Sequence, residues 1–192
     1  MRTLVVHCHP DPSSFTAVTR DRVMQALERR GDEVRLHDLY ADGFDPLFTA
    51  GERERHLQPG PDPSVARYAE DLQWCQQLVL VHPTWWSGQP AMLKGWIDRV
   101  WVDGVAWHLP PGGNWLRRGL RNVRRIVTVT SHGSGRLTNA VEGQVGKQLV
   151  RRTLRSLCHP LARTKWIAFY EIDTAPDEAR RAFLDRVEQA FR

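Results

Sequence analysis

Cysteine and long apolar segments are scarce in this chain of 192 residues, and each scarcity excludes a class of protein. The three cysteines, Cys8, Cys75 and Cys158, are widely spaced among apolar neighbours. This spacing argues against a disulfide framework or a metal site and predicts buried free thiols. Because no run of about 18 apolar residues occurs, the sequence predicts no transmembrane helix. The apolar stretch after Met1 is too short for a signal peptide, so we expect a cytoplasmic protein.

Lysine is also rare, and arginine therefore carries nearly all of the positive charge behind the formal net charge of +5. A basic balance raises the question of a nucleic-acid partner. The arginines, however, are spread along the chain and interleaved with acids, and no basic segment carries a nucleic-acid motif. We therefore expect an arginine-rich solvated surface and no nucleic-acid partner. Arg117, Arg118 and Arg121 are candidates for contact with the 2′-phosphate of a nucleotide, although surface charge explains them as well.

Apolar runs that alternate with helical patterns define the predicted architecture. Strands read as nearly continuous apolar runs, which is typical of a parallel sheet covered on both faces. The sequence thus predicts one α/β domain over residues 1–192, a three-layer sandwich with helices on both faces of a five-stranded parallel sheet in the flavodoxin-like order 2-1-3-4-5. The predicted strands are 3–8, 33–37, 77–82, 125–130 and 165–172, and the predicted helices are 14–29, 63–74, 89–102, 138–158 and 176–191, with a helical turn near 49–56 and a loop or hairpin over 103–120.

The loop after the first strand, HCHPDPSSFT, offers an anion site. It contains neither GxGxxG nor a P-loop, which argues against a dinucleotide-binding Rossmann domain and a P-loop NTPase. Ser14 and Thr16 lie at a helix start, where hydroxyls and free backbone N–H groups bind phosphate. His9 adds a donor at the strand end. An N-cap role for one of the serines is expected in any case, and it is compatible with phosphate binding.

Two further loops follow the third and fourth strands at the same sheet edge. The first carries two adjacent tryptophans, Trp85 and Trp86, and the second is a strip of small residues, Thr130 to Gly135. Ligands of open parallel sheets bind outside the carboxyl ends of the strands. A phosphate site, large flat side chains and a strip of backbone donors together match the needs of a flavin.

The stretch HPTWWSGQPAMLKGWIDRVW, residues 82–101, resembles the NAD(P)H:quinone oxidoreductase family, the flavodoxin-like flavoproteins that include DT-diaphorase. It also resembles the flavin-binding ancillary subunits of glutathione-gated potassium efflux systems. The loops around Ser14-Phe15-Thr16 and Thr130-Ser131-His132-Gly133 fit the same pattern. The resemblance implies that a bound flavin is held by His9, Ser14, Phe15, Thr16, Pro83, Thr84, Trp85, Trp86, Ser87, Thr130, Ser131, His132 and Gly133.

The resemblance further implies hydride transfer from NAD(P)H through the flavin to a quinone-like acceptor, in a homodimer whose sites are completed by the partner subunit. A flavoprotein subunit of a potassium efflux transporter, hence a membrane-transporter partner, and an azo- or nitroreductase are the alternatives. FMN is favoured over FAD because relatives with a longer C-terminal region take FAD. One of Trp85 and Trp86 is expected to border the flavin, and the other to wall the substrate pocket or the subunit contact. The sequence leaves open which tryptophan has which role.

One departure from the family affects catalysis. The family's tyrosine and histidine that balance charge during hydride transfer correspond to Thr138 and Gln144, so the acid–base pair is absent. His132 is the nearest titratable substitute, and the ordinary pKa of a histidine side chain suits proton transfer near pH 7. No protein nucleophile or metal is implied. In the helix that follows the double tryptophan, Trp96 and Trp101 lie on a broad apolar face, for which core packing and a dimer interface are both open.

Overall fold

The central sheet of the computed structural model, which describes residues 1–56 and 58–192, is parallel and five-stranded. The strands in chain order are β1 (Arg2–His7), β2 (Glu33–Asp38), β3 (Gln77–Pro83), β4 (Trp107–His108), β5 (Arg117–Arg118), β6 (Arg125–Ser131) and β7 (Arg163–Phe169). The sheet has the order β2-β1-β3-β6-β7, while β4 and β5 form a separate antiparallel hairpin. Since β6 and β7 are the fourth and fifth predicted strands, the predicted order 2-1-3-4-5 is confirmed.

Helices cover both faces of this sheet, as the apolar strands require. They are α1 (Phe15–Arg29), α2 (Ala50–Glu54), α3 (Ala66–Trp74), α4 (Ala91–Val100), α5 (Arg136–Val141), α6 (Val145–Gln148) and α7 (Asp177–Gln189). A 3₁₀ turn at Pro63–Val65 precedes α3, and a π-helical segment at Leu149–Leu154 continues α6.

Alternate residues of each strand enter two separate cores. Leu78 and Leu80 of β3 pack with the side chains of α3, α4 and the π-helical segment, whereas Val79 and Val81 pack with α1 and α7. All seven residues of β3 are buried, because this strand lies at the centre of the sheet. The three-layer sandwich therefore follows from the period of two along strands that are apolar on both sides.

The region 138–158, predicted to be largely helical, is helical in separate segments. It is divided into α5, α6 and the π-helical segment by Gly143 and Gln144, whose φ angles are +81° and +48°. Two consecutive residues in the left-handed region cannot continue a right-handed helix. A glycine alone predicts such a break only weakly, and Gln144 gives no signal of it in the sequence.

Two smaller predictions also differ from the structure. The last strand, expected over 165–172, lies at Arg163–Phe169, because it pairs from Arg163 opposite Arg125 and ends beside Ser131. The sequence of the first helix also predicts an apolar face of Val18, Val23, Ala26 and Leu27, but Val18 is 47% exposed, while Val23 and Leu27 are fully buried. The helical turn near 49–56 and the hairpin within 103–120 correspond to α2 and to β4 and β5.

The tryptophans of α4 belong to the core of this chain. Trp96 is fully buried, Trp101 is 5% exposed, and their rings meet edge to face with centroids 6.5 Å apart. The interface interpretation of these two residues is therefore wrong, because no face of either ring is left for a partner. The prediction of buried free thiols is confirmed for Cys8, Cys75 and Cys158, and burial raises the pKa of each thiol to about 12.

A buried ion pair fastens the long connection between β2 and α3 to α4. The guanidinium of Arg99 donates to the Glu52 carboxylate at 2.7 Å, to the Asp45 carbonyl at 2.6 Å and to the Ser64 hydroxyl at 2.8 Å. Nearby, a Cβ at Gly95 would lie 2.4 Å from Pro46, so only glycine lets the connection approach α4 so closely. Among the residues that the structure describes, no helix is both long and apolar enough to span a membrane.

Candidate functional site

The carboxyl ends of β1, β3 and β6 surround an open cleft of about 590 Å³. Ten of the thirteen residues predicted to hold a ligand line it, and these are His9, Ser14, Phe15, Thr16, Pro83, Thr84, Trp85, Trp86, Ser131 and Gly133. Ser87 and His132 line a second cavity of about 250 Å³, to which Thr84, Trp86 and Gly133 also contribute. Thr130 lines neither cavity, but its hydroxyl lies 2.9 Å from that of Thr84. The loops predicted to meet are thus brought together.

The first wall of the cleft is the turn between β1 and α1. The Asp11 backbone N–H donates to His9 Nδ1 at 3.0 Å. Nδ1 also lies 3.1 Å from the Asp11 carbonyl, so its role depends on the tautomer. In the tautomer that accepts at Nδ1, Nε2 carries the proton and is a donor for a ligand. The Asp11 carboxylate in turn accepts from the backbone and the hydroxyl of Ser13, which lowers the pKa of Asp11 and fixes the turn. This local network holds His9 beside Trp85, with ring centroids 6.2 Å apart.

The N-terminus of α1 supplies backbone donors to the same cleft. Ser14 is the N-cap, and its hydroxyl accepts from the Ala17 N–H at 3.2 Å. The N–H groups of Phe15 and Thr16 have no acceptor among the described residues. Two free donors at the positive end of a 15-residue helix form a site for an anionic group. The N-cap and the anion site therefore coexist.

The turn after β3 holds its two central residues in an unusual backbone conformation. Trp86 and Ser87 have φ angles of +50° and +59°. Trp85 and Gly88 exchange backbone hydrogen bonds of 3.2 and 3.1 Å across them, as in a two-residue turn of type I′. Such a turn favours Asn-Gly, and each non-glycine residue in the left-handed region costs about 1–2 kcal/mol. The strain keeps the Trp86 ring wholly exposed, at 101%, while Trp85 is 41% exposed.

Hydrogen bonds connect this turn to the loops after β6. The Thr84 N–H donates to the Ser131 carbonyl at 2.7 Å, extending the ladder of β3 and β6 by one step. On the other side, the Ser87 hydroxyl donates to the Glu142 carboxylate, and the Ser87 carbonyl accepts from the Gly146 N–H at 3.0 Å. The turn is therefore fixed at both ends, which offsets part of its backbone strain.

His132 lies behind the cleft and is 6% exposed. Its ring stacks on Tyr170 with centroids 4.7 Å apart and an interplanar angle of 15°, and its Nε2 is 3.5 Å from the Thr84 hydroxyl. Nδ1 is buried without a partner among the described residues. Burial lowers the pKa of His132, an effect that the Glu142 charge opposes only in part, so the ring is neutral at pH 7. His132 is thus part of the wall of the second cavity and does not line the main cleft.

A second neutral histidine supports the turn from below. His82, the penultimate residue of β3, is 1% exposed, and its Nδ1 lies 2.8 Å from the Pro83 carbonyl. Complete burial lowers the pKa of His82 to about 4. Because only a protonated Nδ1 can donate to the carbonyl, Nε2 is the unprotonated atom, and it has no partner among the described residues.

Sequence reasoning missed the wall that follows β7. Ile172 and Asp173 line the main cleft, and Ser134, Asn139 and Glu142 line the second cavity. A Cβ at Gly133 would come within 2.8 Å of the Asp173 carboxylate, so glycine allows this close approach. Ile172 and Asp173 could have been found by their position after a parallel strand, because the loops after the first, third and fourth strands were selected by the same criterion.

Several other candidates lie outside the cleft. Thr138 and Gln144 belong to α5 and to the N-cap of α6, and Arg117 and Arg118 form β5. None of these residues, nor Arg121, lines either cavity. Over residues 1–56 and 58–192, no group of three or more His, Cys, Asp or Glu side chains is arranged to hold a metal ion.

Comparison with known proteins gives relatives of one kind. The chain is 36% identical over 108 residues, 55% of each protein, to the uncharacterized NAD(P)H oxidoreductase YcaK of Escherichia coli. It is 25% identical over 150 residues, 69% of this chain and 54% of the relative, to NAD(P)H dehydrogenase [quinone] 1 of Cavia porcellus. The alignments thus span about half the length of these curated relatives.

A solved structure shares the fold over nearly the whole chain. The FMN-dependent NADH-azoreductase of Bacillus anthracis, determined in complex with FMN, superposes with a TM-score of 0.75 at 16% identity and covers 99% of this chain and 97% of its own. At this identity the likeness shows the fold alone. The family model described as "Flavodoxin-like fold" matches residues 1–190, and the chain therefore belongs to that flavodoxin-like family.

Proposed function

We propose that this protein is a flavin-dependent NAD(P)H oxidoreductase that reduces a quinone-like small molecule. The observation that carries the proposal is the cleft at the carboxyl edge of the sheet, where free helix N–H donors, two exposed tryptophans and a glycine-containing loop converge. Its volume of about 590 Å³ lies within the range of small-molecule and cofactor sites. The relatives named as an NAD(P)H oxidoreductase and as a quinone dehydrogenase support the reaction class.

The residues present fit the phosphate end of a flavin. The free N–H groups of Phe15 and Thr16 supply two donors, His9 adds a third in the tautomer that is protonated at Nε2, and the α1 dipole favours a negative charge there. Asp11 orients His9 through its backbone and stabilises the turn through Ser13. FMN, the cofactor of the azoreductase that shares the fold, requires such an anion site, and FAD is the alternative.

The ring of the flavin fits the opposite part of the cleft. Trp85 and Trp86 offer flat apolar surfaces, and the N–H groups of Gly133 and Ser134 have no acceptor among the described residues. A bound flavin supplies the redox chemistry, accepting hydride from NAD(P)H and passing two electrons to the acceptor. The protein's contribution is to orient the two stacked molecules, to exclude water with the tryptophans and to stabilise negative charge with the loop donors.

His132, Thr84 and Thr130 form a connected group behind the loop. His132 is neutral at pH 7 and touches the Thr84 hydroxyl, which in turn contacts that of Thr130. We assign His132 and Thr84 to holding the wall in place and keep a proton-transfer role for His132 as the second possibility. The azo- or nitroreductase alternative differs only in the acceptor, and the same cleft would serve it.

Release and identification of the chromophore test the proposal. The purified protein should be yellow or should quench FMN fluorescence on titration, mass spectrometry should identify the released flavin, and NADH or NADPH should be oxidised only when a quinone is added. Trp85→Ala should weaken flavin binding, whereas Trp115→Ala, which truncates a tryptophan that is 81% exposed in the β4–β5 hairpin, should leave it unchanged. A protein that neither carries nor binds a flavin would exclude this function.

A homodimer is the proposed assembly. Leu137 and Val141 of α5 and Val145 of α6 are 79%, 82% and 58% exposed, and α5 borders the second cavity through Asn139. Exposed apolar side chains beside a ligand site mark an interface more often than free surface. Sedimentation should show a dimer that Val141→Glu dissociates and that Leu161→Glu, at the opposite end of the sheet, does not. A monomeric wild-type protein would contradict the proposal.

A further inference from the structure

A further cavity, distinct from the main cleft and from the second cavity, lies at the opposite edge of the sheet, where β6 and β7 begin. A cavity of about 390 Å³ is lined by Arg124, Arg125, Arg163, Thr164 and Lys165, four cations and one hydroxyl without any carboxylate. The proposed flavin site lies at the carboxyl ends of the strands, so the two cavities are separated by the length of the sheet. The function proposed above makes no use of this cavity.

Strand register places like charges side by side in this cavity. Arg125 of β6 and Arg163 of β7 are direct cross-strand partners, and Lys165 pairs with Val127. Since Val127 and Ile167 enter the core beneath α1 and α7, Arg125, Arg163 and Lys165 share that face of the sheet. Like charges directly opposite each other destabilise a sheet, and a bound anion would remove that cost.

The protein itself supplies little compensating negative charge. Arg124, Arg163 and Lys165 form no ion pair among the described residues, although many arginines elsewhere in the chain do. Asp32, the acid whose charge acts on Arg125, is already engaged by Arg30 at 2.7 Å and by the N-terminal amine at 3.5 Å. The cavity therefore presents three free cationic side chains.

Arg125 has a different role from its neighbours. Its guanidinium donates to the Ala190 carbonyl at 2.9 Å and lies 5.9 Å from the centre of the Phe191 ring. Burial and the charge of Arg30 lower the pKa of Arg125, and Asp32 opposes this effect. Arg125 thus holds the end of α7 and forms a rigid wall of the cavity. The other three cations remain free to meet a ligand.

The positive field extends beyond the cavity. Besides desolvation, the charges of Arg124 and Arg121 lower the pKa of His159, which precedes β7. The His159 N–H is tied to the Val123 carbonyl at 3.0 Å, and the Arg163 N–H to the Arg124 carbonyl at 3.0 Å, so these backbones are fixed relative to one another. Cations on a fixed frame bind an anion at a smaller entropic cost than cations on a mobile loop.

We infer that this cavity binds a small phosphate-bearing anion. Guanidinium groups match phosphate oxygens in a bidentate fork, and the Lys165 ammonium adds a point charge. The volume of about 390 Å³ suits a molecule with one or two phosphates and is too confined for a flat membrane surface to reach its floor. The site is distinct from the α1 N-terminus, so it would bind its anion beside a bound flavin.

Calorimetric titration of the purified protein with inorganic pyrophosphate at low ionic strength tests this site. The double variant Arg163→Gln, Lys165→Gln removes two exposed cations, and Arg151→Gln, Arg152→Gln removes two exposed arginines of the π-helical segment as a matched control. A charge-assisted hydrogen bond contributes more than a factor of about ten to affinity, so we expect the first variant to bind at least about tenfold more weakly. The control variant should bind as the wild type does.

Each outcome decides the matter. Loss of affinity in the first variant only supports the site, and circular dichroism that matches the wild type excludes misfolding. The inference is overturned if the wild type does not bind pyrophosphate, if both variants lose affinity equally, or if the protein binds only vesicles that contain phosphatidylglycerol. Because the signal is the difference between variants, the result does not depend on whether FMN binds.

Discussion

Replacing His82 with asparagine should make the stability of the protein less dependent on pH. Burial lowers the pKa of His82 from 6.5 to about 4 in the folded chain, and the unfolded chain keeps the ordinary value. As the pH falls below 6.5, the unfolded state therefore binds a proton at His82 that the folded state does not bind. Stability is lost as the pH falls from 6.5 towards 4, because the unfolded state binds more protons in that window.

The magnitude follows from the width of the window. Each pH unit between the two pKa values changes the free energy of unfolding by about 1.4 kcal/mol, so lowering the pH from 6.5 to 5 costs about 2 kcal/mol through His82. The His82→Asn variant keeps a donor near the Pro83 carbonyl but has no proton to gain. The stability difference between wild type and variant should therefore shrink by about 2 kcal/mol between pH 7 and pH 5.

Urea unfolding of both proteins at pH 7 and pH 5 measures this change. Burial also lowers the pKa of His7, His37 and His132, and these groups act in the same direction. They are present in both proteins, so their contributions cancel in the comparison, apart from the interaction of His132 with His82. A difference that stays constant within about 0.5 kcal/mol would refute the reasoning, since it would mean that His82 is protonated equally in both states.

Three further changes test other contacts. Trp86→Gly should raise the free energy of unfolding by about 1 kcal/mol in thermal melts, because the ring is wholly exposed and glycine tolerates the φ of +50°. Turnover of the acceptor should fall in the same variant. A loss of stability would show that the turn is not strained. Ser14→Ala should cost about 1 kcal/mol in urea unfolding through loss of the N-cap bond to Ala17, with no loss if water replaces that bond equally well. Arg99→Met should cost about 3–5 kcal/mol, because Glu52 is left buried and unpaired, and the double variant with Glu52→Gln should recover part of the loss.

The sheet could be predicted from the sequence because each strand is indicated by the residues of the strand itself. Runs such as LVLVH at 78–82 are apolar on both sides, and few structures other than the centre of a parallel sheet bury such a strand. The conformation of Gln144 could not be predicted, since its left-handed φ follows from how α5 and α6 pack and not from any preference of glutamine. The burial of Trp96 and Trp101 was equally undetermined, because an apolar helix face does not show which surface covers it.

The residues of the site could be predicted from the sequence, but the burial of each side chain could not. Ser14 at a helix start and the two tryptophans after a strand indicate a ligand edge, and the structure brings them into one cleft. His132 was expected to face the ligand from the small-residue loop. The structure stacks its ring on Tyr170 and leaves it 6% exposed, in the wall of the second cavity and not of the main cleft. Neither the sequence spacing nor the residue type predicts where the side chain of His132 packs.

The strand order has a consequence for how the protein reaches its active form. The walls of the cleft come from the loops after β1, β3, β6 and β7, which are separated by more than 150 residues along the chain, from His9 to Asp173. Parallel pairings of this kind are non-local and form late in folding. The wall that Ile172 and Asp173 form follows β7, so the cleft of a chain still bound to the ribosome is incomplete until β7 has been made. Pocket occupancy would therefore report on completed folding, and the availability of its ligand would stabilise only chains that have already finished.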